Sequence, residues 1–398
     1  MWVPDERFTC QSCGRCCTRW TITVDEARVE QLRKHEWGDG DPFQARRGGT
    51  GDAFSIRMVR GRCFFLDDDN RCRIHVRLGY EAKPEGCKAF PLHVGKVGGE
   101  TYLRLSFSCP AVLAGEGKRL SDQQRWIRST LKSAGDVERK VPLQLDAEVE
   151  ISGRELDSIE AALLRLLEGK PGEELPVAAR LAAGSGLIER LRASVRAKGK
   201  AGLAQALSEA VAAGVAALAE EGRRTGGAAR GRAILSLFLN QDRRPGALAG
   251  LGHFFGVRLW SSGLGRLRSQ LLGGVKASRS ALQAVRFDPP SPSRALLIRY
   301  LTHKLRARRQ LHGELTLQSG FALLCAAYAV IELLARLRAS AAGRSDCTEE
   351  DVAAAVQAAD LLVVEHSTLY QGSVVGVLTE RVLAGDDTVG SLLGLWRR

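Results

Sequence analysis

Eight of the chain's ten cysteines fall within its first 110 residues, as Cys10-x2-Cys13-x2-Cys16-Cys17 followed by Cys63, Cys72, Cys87 and Cys109. Thiolates are soft ligands for zinc, copper(I) and iron–sulfur clusters, and a two-residue gap lets the sulfurs of one tight turn converge on a single centre. These eight residues are therefore the expected metal ligands. An even cysteine count also admits a disulfide framework. Against that, Met1-Trp2-Val3-Pro4-Asp5-Glu6-Arg7 has no basic segment leading into an apolar one, so no secretory signal is expected and a reducing cytoplasm is the expected compartment.

The spacing admits two chemistries. Cys10, Cys13 and Cys16 match the three-cysteine arc of a ferredoxin loop, with Cys109-Pro110 as the remote fourth ligand of a four-iron cluster. A zinc site built from four of the eight thiols explains the same pattern, and a closed zinc site would serve folding. Adjacent side chains rarely point at one centre unless the backbone turns sharply between them, so Cys16 or Cys17 is a candidate for a second site, with Cys17, Cys63, Cys72 and Cys87 as its four thiolates. His75 and His93 could each replace a thiol. Arg15, Arg19, Arg62, Arg71, Arg73 and Lys88 lie within two residues of a cysteine, where a cation favours the thiolate and offsets its charge. Asp67, Asp68 and Asp69 lack the spacing of a hard-cation loop and read as a turn.

The elements that must carry these ligands read as a small irregular α+β module, residues 1–118, followed by a helical domain, 119–398, in a mainly α protein. Thr23 with Glu26 fits a capping box opening a helix at about 24–35. Strands are expected at Ser55–Val59, Cys63–Leu66 and Tyr102–Phe107, and a turn at Asp67–Asn70. Beyond residue 120, Ser121–Gln124 and Ser152–Glu155 read as capped helix starts, and Thr348–Asp351 caps a helix reaching His366. Breaks are expected at Gly169–Gly172, Arg223–Gly231 and Asp288–Ser293. The Ala- and Gly-rich stretch 177–220 suggests looser packing. Arg294–Arg309 reads as a basic helix and Phe321–Leu337 as an apolar one. The most apolar stretch, Phe321–Ile331, is too short to cross a bilayer, so a buried helix and no transmembrane segment are expected. Cys325 reads as a core thiol, and Cys347, just before a helix cap, as a mildly reactive one.

With 44% hydrophobic residues in 398, the chain can bury a large core, and its net charge of +13 favours anionic partners in general. Nucleic acid is not an expected partner, because aromatics make up only 6% of the chain, no nucleic-acid signature occurs and the arginines are spread out.

Phe8-Thr-Cys-Gln-Ser-Cys-Gly-Arg-Cys-Cys17, Cys63-Phe-Phe-Leu66, Cys72-Arg-Ile-His75, Cys87-Lys-Ala-Phe-Pro91 and Ser108-Cys-Pro110 together resemble the YkgJ-type cysteine cluster, a zinc- or iron-chelating family, over residues 8–112. A further set resembles the flagellin lysine N-methylase (FliB) branch. Its members are Trp20-Thr-Ile-Thr-Val-Asp25, Leu78-Gly-Tyr-Glu81, Leu105-Ser-Phe-Ser-Cys-Pro110, Arg299-Tyr-Leu301, Ala327-Tyr-Ala-Val-Ile331, Glu349-Glu-Asp-Val352 and Glu365-His366. Cys10, Cys13 and Cys16 are closer together than is usual in that branch. The resemblance implies methyl transfer from S-adenosylmethionine to a protein lysine, with flagellin or another protein as substrate. The residues themselves locate no donor pocket. Ala183-Gly-Ser-Gly186 has helical surroundings where a nucleotide loop follows a strand, and Trp20 stands where a radical S-adenosylmethionine motif would need a third cysteine after Cys13 and Cys17.

Overall fold

Very short elements build the cysteine-rich stretch. The computed structural model describes residues 1–18, 22–38, 40–45, 54–131, 137–138, 141–169, 175–222, 227–242, 247–311, 315–365 and 374–396. They divide into two compact units, Met1–Val94 with Leu103–Val137, and Gly95–Tyr102 with Glu138–Arg398.

In the first unit, β1 (Thr23–Val24), β2 (Phe43–Ala45) and β3 (Phe54–Ile56) form a sheet of order β1-β3-β2, with α1 (Glu26–Arg33) between the first two strands in sequence. The cap of α1 is Asp25, whose carboxylate accepts from the Arg28 amide at 2.8 Å, while the expected cap Thr23 pairs with Ser55 in the sheet. Sheet pairing thus displaces the capping box and shortens the helix. β4 (Met58–Val59) and β5 (Arg62–Cys63) form a hairpin, and the strand expected through Leu66 stops at Cys63. Asp67–Asn70 is the expected turn, with the Asn70 amide donating to the Asp67 carbonyl. Next in sequence come α2 (Arg73–Leu78), α3 (Glu85–Ala89), β6 (Leu92–Val97), β7 (Glu100–Leu105), α4 (Pro110–Ala114), α5 (Gln124–Thr130) and β8 (Val137–Glu138), of which Gly95–Tyr102 and Glu138 belong to the second unit. The start expected at Ser121–Gln124 is a 3₁₀ turn, Leu120–Gln123, and α5 that follows it has no side-chain cap. Val24, Val29, Leu32, Trp37, Phe43, Ile56, Phe64, Phe65 and Ile74 form the core, with Cys63, Cys72 and Cys87 packed against it. Trp37 meets Phe65 edge to face at 5.0 Å, the arrangement that ring quadrupoles favour.

The second unit is helical, as the sequence indicates. It contains α6 (Gly153–Glu168), α7 (Val177–Lys198), α8 (Gly202–Glu221), α9 (Ala228–Leu239), α10 (Ala247–Ser261), the hairpin β9 (Arg266–Ser269) and β10 (Val275–Ser278), then α11 (Arg279–Ala284), α12 (Ser291–Arg306), α13 (Leu317–Ala341), α14 (Glu349–Ala359), α15 (Val374–Leu383) and α16 (Thr388–Leu393). Ser152 and Glu155 form the expected capping box on α6, and Thr348 with Asp351 does so on α14. A π-helical turn, Asp360–Val364, follows α14, and His366 lies outside the described residues. So do Arg19, Trp20, Lys170–Gly172 and Arg223–Gly226 of the expected features.

Of residues 177–220, where looser packing is expected, α7 is largely buried and touches α8 closely, while much of α8 is exposed. A Cβ added at Gly186 would lie 2.0 Å from the Leu218 carbonyl oxygen, and one at Gly222 2.0 Å from that of Ala182. The small residues let α7 and α8 approach backbone to backbone. The apolar helix α13 runs 25 residues, beyond the 321–331 stretch read as too short, and both α8 and α13 are long and apolar enough by length and composition to cross a bilayer. In α13, 94% of the most apolar window is buried in this fold, which makes it a core helix. Cys325 sits on it, fully buried. Cys347 is buried as well, and burial pushes its thiol up to about 12, which opposes the mild reactivity expected of it.

Candidate metal centre

All ten cysteines are free thiols, which excludes the disulfide alternative. The N-terminal eight are delivered by short loops and helix starts. Cys16 and Cys17 lie on a 3₁₀ turn, Arg15–Thr18, which the Cys17 amide begins by donating to the Gly14 carbonyl at 3.0 Å. Gly14 has a φ of +68°, and a Cβ there would press on Asn70 at 3.1 Å, so this turn favours glycine. Cys72 caps α2, Cys109 caps α4 with Pro110 at its first position, Cys87 lies in α3, and Cys63 ends β5.

These eight side chains line two cavities with a common wall. The outer one, of about 340 Å³, is lined by Cys10, Cys13, Cys16, Cys17, Cys72, Cys87 and Cys109. The inner one, of about 50 Å³, is lined by Cys16, Cys17, Cys63, Cys72 and Cys87. The tight turn directs both adjacent cysteines the same way, with their sulfurs 3.8 Å apart. His75 joins the outer wall, and His93 joins neither. Among the described residues, no three His, Cys, Asp or Glu side chains are already drawn together at metal-holding spacing. The residues nonetheless fit a soft metal through their donor chemistry: eight free thiols line adjoining cavities beside a half-buried cation.

That cation is Lys83, which lines both cavities. Burial alone would lower its pKa, but Cys72, Cys87, Cys10 and Cys16 around it raise it overall. Sequence proximity singled out other residues. Arg73 donates to the Trp37 carbonyl at 2.7 Å and lies over the Phe64 ring, Arg62 donates to the Asp67 carbonyl, Arg71 pairs with Asp67 and Asp69, and Lys88 pairs with Glu85. Of the expected cations, Arg15 and Arg71 reach the outer wall. Nothing in the spacing marks Lys83, eleven residues after Cys72 and four before Cys87.

The thiols differ in acidity for physical reasons. The hydrogen bond from Cys17 lowers Cys16 to about 7, against the effect of its burial, while the same contact followed by burial raises Cys17. One proton shared between two sulfurs accounts for the opposite directions. Burial pushes Cys63 and Cys109 up to about 11 and raises Cys87 as well. For Cys109, the amides of Val112 and Ala111 at the start of α4 oppose that rise without overcoming it. Phe90 and Pro91 line the outer cavity and Phe65 the inner one, placing apolar surface around the sulfurs.

The second unit holds a separate buried polar cluster. Lys304 Nζ lies 2.8 Å from Asp360 Oδ1 and 2.9 Å from Glu365 Oε1, with Arg309 Nε 3.4 Å from Glu365 Oε2. Tyr300, singled out with Glu365 from the sequence, is buried beside them, and burial first, then the Asp360 and Glu365 charges, raises its hydroxyl pKa. Ala183-Gly-Ser-Gly186 lies buried within α7, consistent with its failing the nucleotide-loop test.

Residues 9–110 match the family model described as "Putative zinc- or iron-chelating domain". The chain is 26% identical over 116 residues to a lysine-N-methylase of Salmonella typhimurium, a match covering 27% of this chain and 29% of that protein. It is 26% identical over 115 residues to the flagellar biosynthetic protein FliU of Salmonella muenchen, covering 26% of this chain and 68% of that protein. A lysine-N-methylase of Salmonella choleraesuis matches over 115 residues, 29% of its length, at 26% identity. No solved structure matches.

Proposed function

We propose that residues 9–110 hold a thiolate-ligated metal, zinc or an iron–sulfur cluster, and that the chain acts in the cytoplasm as a protein-lysine N-methyltransferase, using S-adenosylmethionine on flagellin or a similar protein. One observation carries the metal half: all eight cysteines line two cavities that share Cys16, Cys17, Cys72 and Cys87. Cys10, Cys13 and Cys109 would add ligands from the outer side and Cys63 from the inner side. A bound zinc would contribute folding energy, and an iron–sulfur cluster electron transfer. The chain's own residues set the conditions for binding. Lys83 offsets accumulated thiolate charge, Phe65, Phe90 and Pro91 limit water, and the buried thiols release their protons as ligation replaces them.

The methyl-transfer half draws its support from the names of the relatives. Its chemistry requires a neutral lysine amine aligned with the sulfonium methyl in a preorganised pocket. The limited coverage favours a second reading, a metal-holding or redox module without methyl transfer, because the lysine-N-methylases match over only 29% of their length. Elemental analysis and an absorption spectrum of anaerobically purified protein test the first half. A broad visible band indicates iron–sulfur, stoichiometric zinc without colour indicates a zinc site, and absence of both metals refutes it. Incubating the metal-loaded chain with labelled S-adenosylmethionine and flagellin tests the second half. No donor binding and no transferred label would leave the module reading.

A further inference from the structure

We propose that α10 and the β9–β10 hairpin form a docking surface for a membrane carrying anionic phospholipids. Leu251, Phe254, Phe255 and Leu259 follow helical spacing on α10 and are 54%, 45%, 61% and 50% exposed, while Val257 and Trp260 on the opposite side are buried. Leu264, in the turn after the helix, is 64% exposed and extends the patch. Both large exposed phenylalanines among the described residues are in this one patch. A solvated face has no use for clustered aromatic surface, and a contiguous apolar patch of this kind marks an interaction site.

The charge around the patch identifies the partner. From Ala247 to Phe287 the chain has Arg258, Arg266, Arg268, Lys276, Arg279 and Arg286, and no Asp or Glu. Arg266, Arg268 and Lys276 line a cavity of about 410 Å³ whose other wall is Gly252, His253, Gly256 and the buried Val257 of α10, while Arg258 lies on the helix between Phe254, Phe255 and Leu259. The nearest acid before this run, Asp242, is buried and accepts hydrogen bonds from the Ser269 hydroxyl and the Gln270 and Leu271 amides, and Arg286 pairs with Asp346, which leaves Arg258, Arg266, Arg268 and Lys276 as the exposed cations near the strip. An apolar strip beside cations of one sign suits the boundary of an anionic bilayer, where phenylalanine and leucine enter the acyl region and arginine and lysine meet phosphate. A protein partner would have to present a dense acidic face around its own apolar strip.

Co-sedimentation of the full chain with phosphatidylcholine vesicles, with and without phosphatidylglycerol, tests the assignment. The chain is expected to sediment with the anionic vesicles only, and less so as salt screens the cations. F254S/F255S and R266Q/R268Q are each expected to lower partitioning about tenfold or more, since each pair removes two membrane contacts. All four side chains are on the surface, so unchanged circular dichroism will separate lost docking from lost folding. Failure to sediment with either vesicle, or sedimentation unchanged in both double variants, would overturn the proposal. Phe255-dependent self-association without lipid would assign the patch to a second copy of this chain. Binding to polyglutamate that anionic vesicles do not reproduce would assign it to an acidic protein, and either result overturns the membrane.

Discussion

Replacing Lys304 by methionine removes an ammonium set between two carboxylates inside the helical unit. Lys304 and Asp360 are fully buried and Glu365 almost so, with contacts of 2.8 and 2.9 Å. Methionine keeps most of the aliphatic stem, so the packing change costs under about 1.5 kcal/mol. The electrostatic loss dominates, because breaking a buried pair by removing one partner strands the other charge and costs about 3–5 kcal/mol. Glu365 retains Arg309 at 3.4 Å, which directs the loss mainly to Asp360. Urea unfolding followed by far-ultraviolet circular dichroism, which reads mainly the helical unit, should show a destabilisation of that size at pH 7. Acidification should recover part of it, because a protonated carboxyl is less costly to bury than an ionised one. K304M/D360N should lose less than the sum of the two single variants, since they share one interaction. A loss below about 1 kcal/mol at pH 7, with no recovery in acid, would mean that water reaches these groups and would refute the buried-charge argument.

Three further outcomes are expected. G186A should destabilise the helical unit by about 2 kcal/mol or more in the same urea assay, because its new Cβ would meet the Leu218 carbonyl at 2.0 Å, whereas G153A, with open space around it, should not. D351N should lose stability at neutral pH and little in acid. Burial alone would raise the Asp351 pKa, but Arg344 and Thr348 outweigh it and hold it below the ordinary value, so its contribution is present above the unfolded carboxylate range and disappears as pH falls through the folded value; matching pH dependence in wild type and D351N would contradict this. Metal loading of the apo chain in weakly buffered solution should release protons, and affinity should fall by about tenfold for each unit the pH is lowered per thiol proton displaced, because Cys63 and Cys109, at about 11, enter protonated. A pH-independent affinity in calorimetric titration would exclude ligation by these thiols.

Features set by neighbours in sequence are legible from the residues alone. The Ser152–Glu155 and Thr348–Asp351 capping boxes need only three-residue reach, and both form. Thr23–Glu26 has the same spacing and fails, because Thr23 is taken into pairing with Ser55 more than thirty residues away. Low complexity at 177–220 suggests loose packing, yet Gly186 and Gly222 have no side chain because another backbone occupies that space. The 3.6-residue period identifies helices without showing that α13 extends to 25 residues or that Cys347 is covered.

At the cysteine cluster, the sequence by itself determined the kind of chemistry. Thiol identity and two-residue spacing are local properties, and they select soft metals whatever the rest of the chain does. Only the tertiary structure decided which groups share a wall. It put Cys16, Cys17, Cys72 and Cys87 between two cavities, and set Lys83 among them while Arg62, a neighbour of Cys63 in sequence, donates to the Asp67 carbonyl. The physical reason is that charge compensation depends on distance through space, which chain folding sets and residue spacing does not.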